Sequence, residues 1–112
     1  MLDHVNAGRL SLARFVDMSS AGPNRLFGIA NKGRIAVGYD ADLTIVDLKR
    51  TETIRNEDVK SRAGWTPYDG VSVTGWPVGT ILRGKTVMWQ GDLVTPSTGQ
   101  PMRFLEALPA AL

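Results

Sequence analysis

A single histidine, His4, stands beside Asp3, and two carboxylates, Asp40 and Asp42, sit two residues apart. Histidine with acids is the usual material of a metal centre, and paired carboxylates are that of general acid and base work. Neither set is complete here. A hydrolytic zinc site takes three protein ligands, and no cluster of His, Cys, Asp or Glu at ligand spacing surrounds His4, which reads as a structural or surface residue. Asp40 and Asp42 fall inside the turn Gly38-Tyr39-Asp40-Ala41-Asp42, with no companion His or Lys at suitable spacing. They read as turn carboxylates that bond backbone amides or face water.

The other chemically capable groups fare no better. Ser11, Ser19, Ser20, Ser61, Ser72 and Ser97 lie in no Gly-x-Ser-x-Gly turn, and one histidine leaves little material for a triad. Gly84-Lys85-Thr86 approaches the end of a phosphate-binding loop, yet the earlier glycine is out of place and the flanks read as strands, so a hairpin is expected. Trp65, Trp76, Trp89 and Tyr68 have the chemistry of a platform for a sugar or a base. In a small β-rich domain they are also a large share of the area available for burial, and packing is the preferred reading. An aromatic surface without a ligand would point to an interface instead. The chain is expected to hold no catalytic, cofactor-binding or metal-binding residue of its own.

The elements that would position these groups change character along the chain. Leu2 and Val5 form a short apolar pair ending at Gly8; Ser11 then caps a helix whose face carries Leu12, Phe15 and Val16. Ser19, Ser20 and Gly22 stop it, Pro23 suits the first turn of the next helix, and Gly28 ends that one. From Ile35 the period becomes strand-like. Lys32 to Leu48 is expected to fold as a hairpin, Ile35 and Val37 on one arm and Leu43 to Val46 on the other. Asn56 to Lys60 reads as a single helical turn, Gly64 to Gly70 as an ordered loop, and Gly75-Trp76-Pro77 as a bend. Val78 to Arg83 and Thr86 to Gln90 are strands joined at Gly84-Lys85, and Gly91-Asp92 turns toward Leu93. In the tail, Leu105-Leu108-Ala111 is too weak a pattern for a helix.

These elements make an α+β fold, mainly β: two or three short N-terminal helices followed by a small, incomplete β-sandwich-like domain, with the division at residues 1–30 and 31–112. With 43% hydrophobic and 21% charged residues, a folded core is expected rather than disorder. Thirteen Lys and Arg are scattered among 11 Asp and Glu, so no basic patch marks a nucleic-acid partner. No cysteine is present for a disulfide or a thiolate zinc site, and no membrane span or signal peptide is seen, which fits a cytoplasmic protein. At 112 residues the chain is too short for a complete (β/α)8 barrel of roughly 250.

Gly33, Ile35, Gly38 and the run Asp40-Ala41-Asp42-Leu43 followed by Asp47 resemble the segment just past the catalytic barrel in the metal-dependent amidohydrolases. Ser11 to Asp17 and Gly22 to Ile29 look like the last barrel-associated helices of the cyclic-amide hydrolases, the branch of dihydroorotases, dihydropyrimidinases and allantoinases. Gly64 to Gly70, Gly75 to Val78, Thr80 to Gly84 and Pro101 to Phe104 look most like the tail of bacterial dihydroorotases.

The resemblance implies the carboxyl-terminal part of an enzyme that opens a cyclic amide, dihydroorotate to carbamoyl aspartate in pyrimidine biosynthesis. Metal-bound hydroxide would attack the carbonyl while an aspartate shuttles the proton. The family's binuclear zinc ligands are a His-x-His, a lysine, two histidines and a late aspartate, and none lands on this chain. It would therefore be inactive alone, with the rest of the parent barrel as its partner. Cut free, its strand edges and the apolar face of Leu12, Phe15, Val16, Leu26 and Phe27 are expected to drive self-association. An allantoinase or dihydropyrimidinase fragment, or a free-standing β-rich binding module, are the alternatives.

Overall fold

The computed structural model describes residues 1–107. Helix α1 spans Leu2–Asn6, α2 Leu12–Ser19 and α3 Ala21–Phe27. As expected, the Ser11 hydroxyl accepts from the Arg14 N–H at 3.1 Å and fixes the start of α2. Gly28 ends α3 in the left-handed conformation at φ 60°. A two-point ion pair, Arg25 to Asp17 at 2.9 and 3.1 Å, ties α3 back to α2.

Four strands follow: β1 (Leu43–Thr53), β2 (Ser72–Leu82), β3 (Lys85–Trp89) and β4 (Asp92–Leu93). They form one antiparallel sheet in chain order. Arg83 and Gly84 (φ 45° and 80°) link β2 to β3, and Gln90 and Gly91 (φ 50° and 89°) link β3 to β4. Positive φ at both central residues is the mirror-image turn whose twist matches paired strands. Asn56–Asp58 is a 3-10 turn, in keeping with the single turn expected there, and Leu105–Ala107 is another. Leu108 and Ala111 lie outside the described residues.

Two expectations need correction. The hairpin over Lys32 to Leu48 does not form: no strand lies between residues 34 and 42, and Ile35 is 90% exposed. The second arm pairs with β2 instead, Leu43 opposite Ile81 and Thr53 opposite Ser72, because an 11-residue partner offers a longer ladder than five residues broken by glycine. Nor is Gly75-Trp76-Pro77 a bend. All three lie inside β2, and Pro77 is tolerated because β3 pairs with β2 only from Gly79 onward, so no ladder bond is lost on that side.

The core is small. Leu2, Ala30 and Val78 are the buried hydrophobic residues among those described. Ala30 is held by the returning C-terminal stretch: its N–H donates to the Arg103 carbonyl at 2.9 Å, and Leu105 N–H donates to the Gly28 carbonyl at 2.7 Å. Among the described residues, no helix is long and apolar enough to cross a membrane.

Candidate functional site

His4 is exposed, with Arg9 Nη1 3.0 Å from its Nδ1. Its sequence neighbour Asp3 is used elsewhere, accepting from the Thr74 N–H at 2.9 Å. No group of three or more His, Cys, Asp or Glu able to hold a metal occurs among the described residues. A zinc centre does not fit this donor set, and no step through zinc is assigned to these residues.

The charged cluster that does assemble is one the sequence reading missed. Lys32 Nζ lies 2.9 Å from Asp40 Oδ2 and 2.5 Å from Asp42 Oδ2, although Asp40 and Asp42 were expected to lack a companion lysine. Spacings of eight and ten residues match no regular element, so only the folded loop shows the match. The other oxygen of Asp42 accepts from the Arg83 N–H at 2.8 Å, and so pins the β2–β3 turn to the start of β1. The amide-bonding role expected of Asp42 is thus present, on an amide 41 residues away. Gly33 is required beside this lysine. It has φ 82°, and a Cβ there would stand 2.4 Å from Asn24 Nδ2.

The electrostatics suit this cluster to act as a staple. Hydrogen bonds from Lys32 hold the Asp42 carboxyl below its ordinary 3.8, and Asp42 with Asp40 raises Lys32 above its ordinary 10.5. Both groups stay charged near neutrality, which suits a fixed ion pair and not a proton shuttle. The Asp42 contribution to stability is complete above 3.8 and fades as pH falls through its lowered value. That of Lys32 is complete below 10.5 and fades as pH rises through its raised value. Lys32→Met is therefore expected to lower unfolding free energy by about 1–2 kcal/mol, by a constant amount from about pH 5 to 9 and by less in strong acid. Urea titrations across that range check this; equal midpoints for the two proteins at neutral pH would refute it.

The aromatic residues divide. Trp76 is half-buried, in keeping with packing, while the Trp89 ring packs one face over Gly79, where a Cβ would come within 2.8 Å of it, and stays 46% exposed. Trp65 and Tyr68 are 63% and 62% exposed, so within this chain the packing reading fails for both. An apolar groove of about 520 Å³ lies between α2 and β1, walled by Leu2, Leu12, Phe15, Val16, Leu43 and Val46.

Three helices leading into this meander correspond to a known arrangement. The amidohydrolase family matches residues 1–87. The chain belongs to the amidohydrolase family. It is 47% identical over 94 residues to the dihydroorotase of Methanothermobacter thermautotrophicus, covering 84% of this chain and 22% of that protein. With the dihydroorotase of Pyrococcus furiosus it shares 43% identity over 100 residues, 89% of this chain and 24% of the relative. Among solved structures, the L-hydantoinase (dihydropyrimidinase) from Arthrobacter aurescens superposes with a TM-score of 0.81 at 42% identity, over 85% of this chain and 22% of that one. This amidohydrolase chain thus spans between a fifth and a quarter of the length of these relatives.

Proposed function

We propose that this chain is the carboxyl-terminal structural part of a cyclic-amide hydrolase, with dihydroorotate as the substrate of the whole protein. Residues 1–30 serve as terminal helices of a (β/α)8 barrel and residues 31–112 as part of a small β-domain beside it. The observation that carries the reading is the 47% identity to a dihydroorotase over 94 residues, a stretch that makes up 22% of that protein. Hydantoinase relatives keep the broader class of cyclic amides and ureides in view.

The chain's own contribution is mechanical. Its accessible surface is 8518 Å², against roughly 6,100 Å² for a folded monomer of its mass. Its radius of gyration is 16.3 Å, against about 13 Å for a compact domain of this length. The excess of about 2,400 Å² on this one chain is comparable to one partner's half of a permanent interface, which totals roughly 2,000–5,000 Å² over both partners. Such a surface supports a part of a larger body, with the metal and its ligands supplied by the remainder.

The test is a full-length chimera, the Methanothermobacter dihydroorotase with its matched segment replaced by this chain. It is expected to open dihydroorotate, and the 112-residue chain given zinc and the same substrate is expected to show no turnover. Metal-dependent turnover by the short chain would refute the assignment. So would a folded chimera inert toward dihydroorotate and hydantoins alike.

A further inference from the structure

The segment between β1 and β2 is a closed loop with its own internal order. Its neck is tied by two backbone bonds, Ile54 N–H to the Val71 carbonyl at 2.9 Å and Gly70 N–H to the Ile54 carbonyl at 2.7 Å. Inside, Asn56 acts as a brace. Its N–H donates to Asp69 Oδ1 at 2.7 Å, and its side-chain oxygen accepts from the Thr66 N–H at 2.7 Å. Thr66 Oγ1 then accepts from the Tyr68 N–H at 3.2 Å. Gly64 and Gly70, at φ 67° and 79°, permit the tight path. Compact loops with joined ends of this kind often carry function.

What the brace displays is apolar and aromatic: Trp65 and Tyr68, with Val71 exposed beside them. Rings held in place by internal bonds lose little freedom on docking, and tryptophan and tyrosine are the commonest anchors of protein contacts. The charges between residues 55 and 70 cancel, Arg55, Lys60 and Arg62 against Glu57, Asp58 and Asp69, so neither a polyanion nor a polycation is selected.

We propose that this loop is a preformed plug that anchors the domain to the remainder of the longer amidohydrolase chain. Trp65 and Tyr68 enter an apolar recess there that supplies acceptors for the indole N–H and the phenol O–H. The proposal rests on the reading above that such a remainder exists. The occupant follows from the relatives, which carry more than three quarters of their length outside the matched segment, and from the large uncovered surface of this chain.

Trypsin cleavage at Lys60 and Arg62 tests it in the chimera. Trp65→Ser or Tyr68→Ser is expected to speed cleavage there about tenfold, the factor equivalent to 1.4 kcal/mol of lost docking. Trp65→Phe, which keeps an apolar ring, is expected to restore most of the protection. In the 112-residue chain the same serine substitutions should leave the rate unchanged. Equal acceleration in both proteins, no acceleration in the chimera, or conversion of a dimeric chimera to monomer as the sole effect would overturn the proposal. The last result would assign the plug to a second copy. A chimera that protects the loop without opening a cyclic amide supports the plug and refutes the catalytic reading, so the two fail separately.

Discussion

Gly75→Ala is expected to destabilise the chain by about 3 kcal/mol or more, the sum of left-handed backbone strain and overpacking in a place that does not yield. Gly75 has φ 100°, and a Cβ built there would stand 2.6 Å from Leu2 Cβ and 3.2 Å from Asn6 Nδ2. Neither neighbour can step aside. Leu2 is one of the few buried residues, and the Asn6 Nδ2 shares its two hydrogens among the Leu2, Leu48 and Thr74 carbonyls, at 3.2, 3.0 and 2.9 Å. Asp3 completes the joint through the Thr74 N–H, so this one contact keys α1 onto both long strands. Gly38→Ala is the control: φ is 87°, yet no atom lies within 4 Å of the new methyl, and a cost of about 1 kcal/mol is expected from backbone strain alone. Urea unfolding of the two variants measures the difference, and equal costs would show that the α1 joint is not rigid.

At micromolar concentration the isolated chain is expected to sediment as a dimer or larger species. The reason is the exposed apolar surface: Leu26 and Phe27 on α3, Leu12 and Val16 on α2, and Ile45 on the edge strand β1, all in contact with water. Patches of this extent seldom remain bare, and a long edge strand is a ready template for pairing. The β1 edge is interrupted at its centre, where Asp47 Oδ1 accepts from the Lys49 and Arg50 N–H groups and Asn6 takes the Leu48 carbonyl. Helix faces should therefore contribute more than strand addition. Leu26→Lys with Phe27→Lys is expected to shift the equilibrium toward monomer at least tenfold, whereas Ile45→Lys should move it less. Sedimentation velocity decides; a monomer across the micromolar range would count against this account.

Much of the local structure was legible because it depends on neighbours in sequence. The Ser11 cap, the Gly28 stop, the turn at Asn56 and the hairpin at Gly84 each follow from residues within four positions of one another. The failed hairpin at Lys32 shows the limit. Ile35 and Val37 alternate as a strand should, but alternation specifies a face, not a partner, and β2 was the better partner for Leu43 to Thr53. Likewise nothing in the spacing marks Lys32 as the counter-ion of Asp40 and Asp42, or Asn6 as the clasp on carbonyls up to 68 residues away.

The sequence by itself determined that this chain carries the wording of an amidohydrolase, since residue types and short-range spacing are written in it directly. The tertiary structure alone decided which carboxylates are bound as a staple, which glycine carries the helix-to-sheet joint, and that Trp65 and Tyr68 face outward. Those outcomes depend on which distant segments meet. A linear pattern encodes a residue's preference for burial or charge, and only the assembled fold supplies the neighbour that satisfies it or leaves it open.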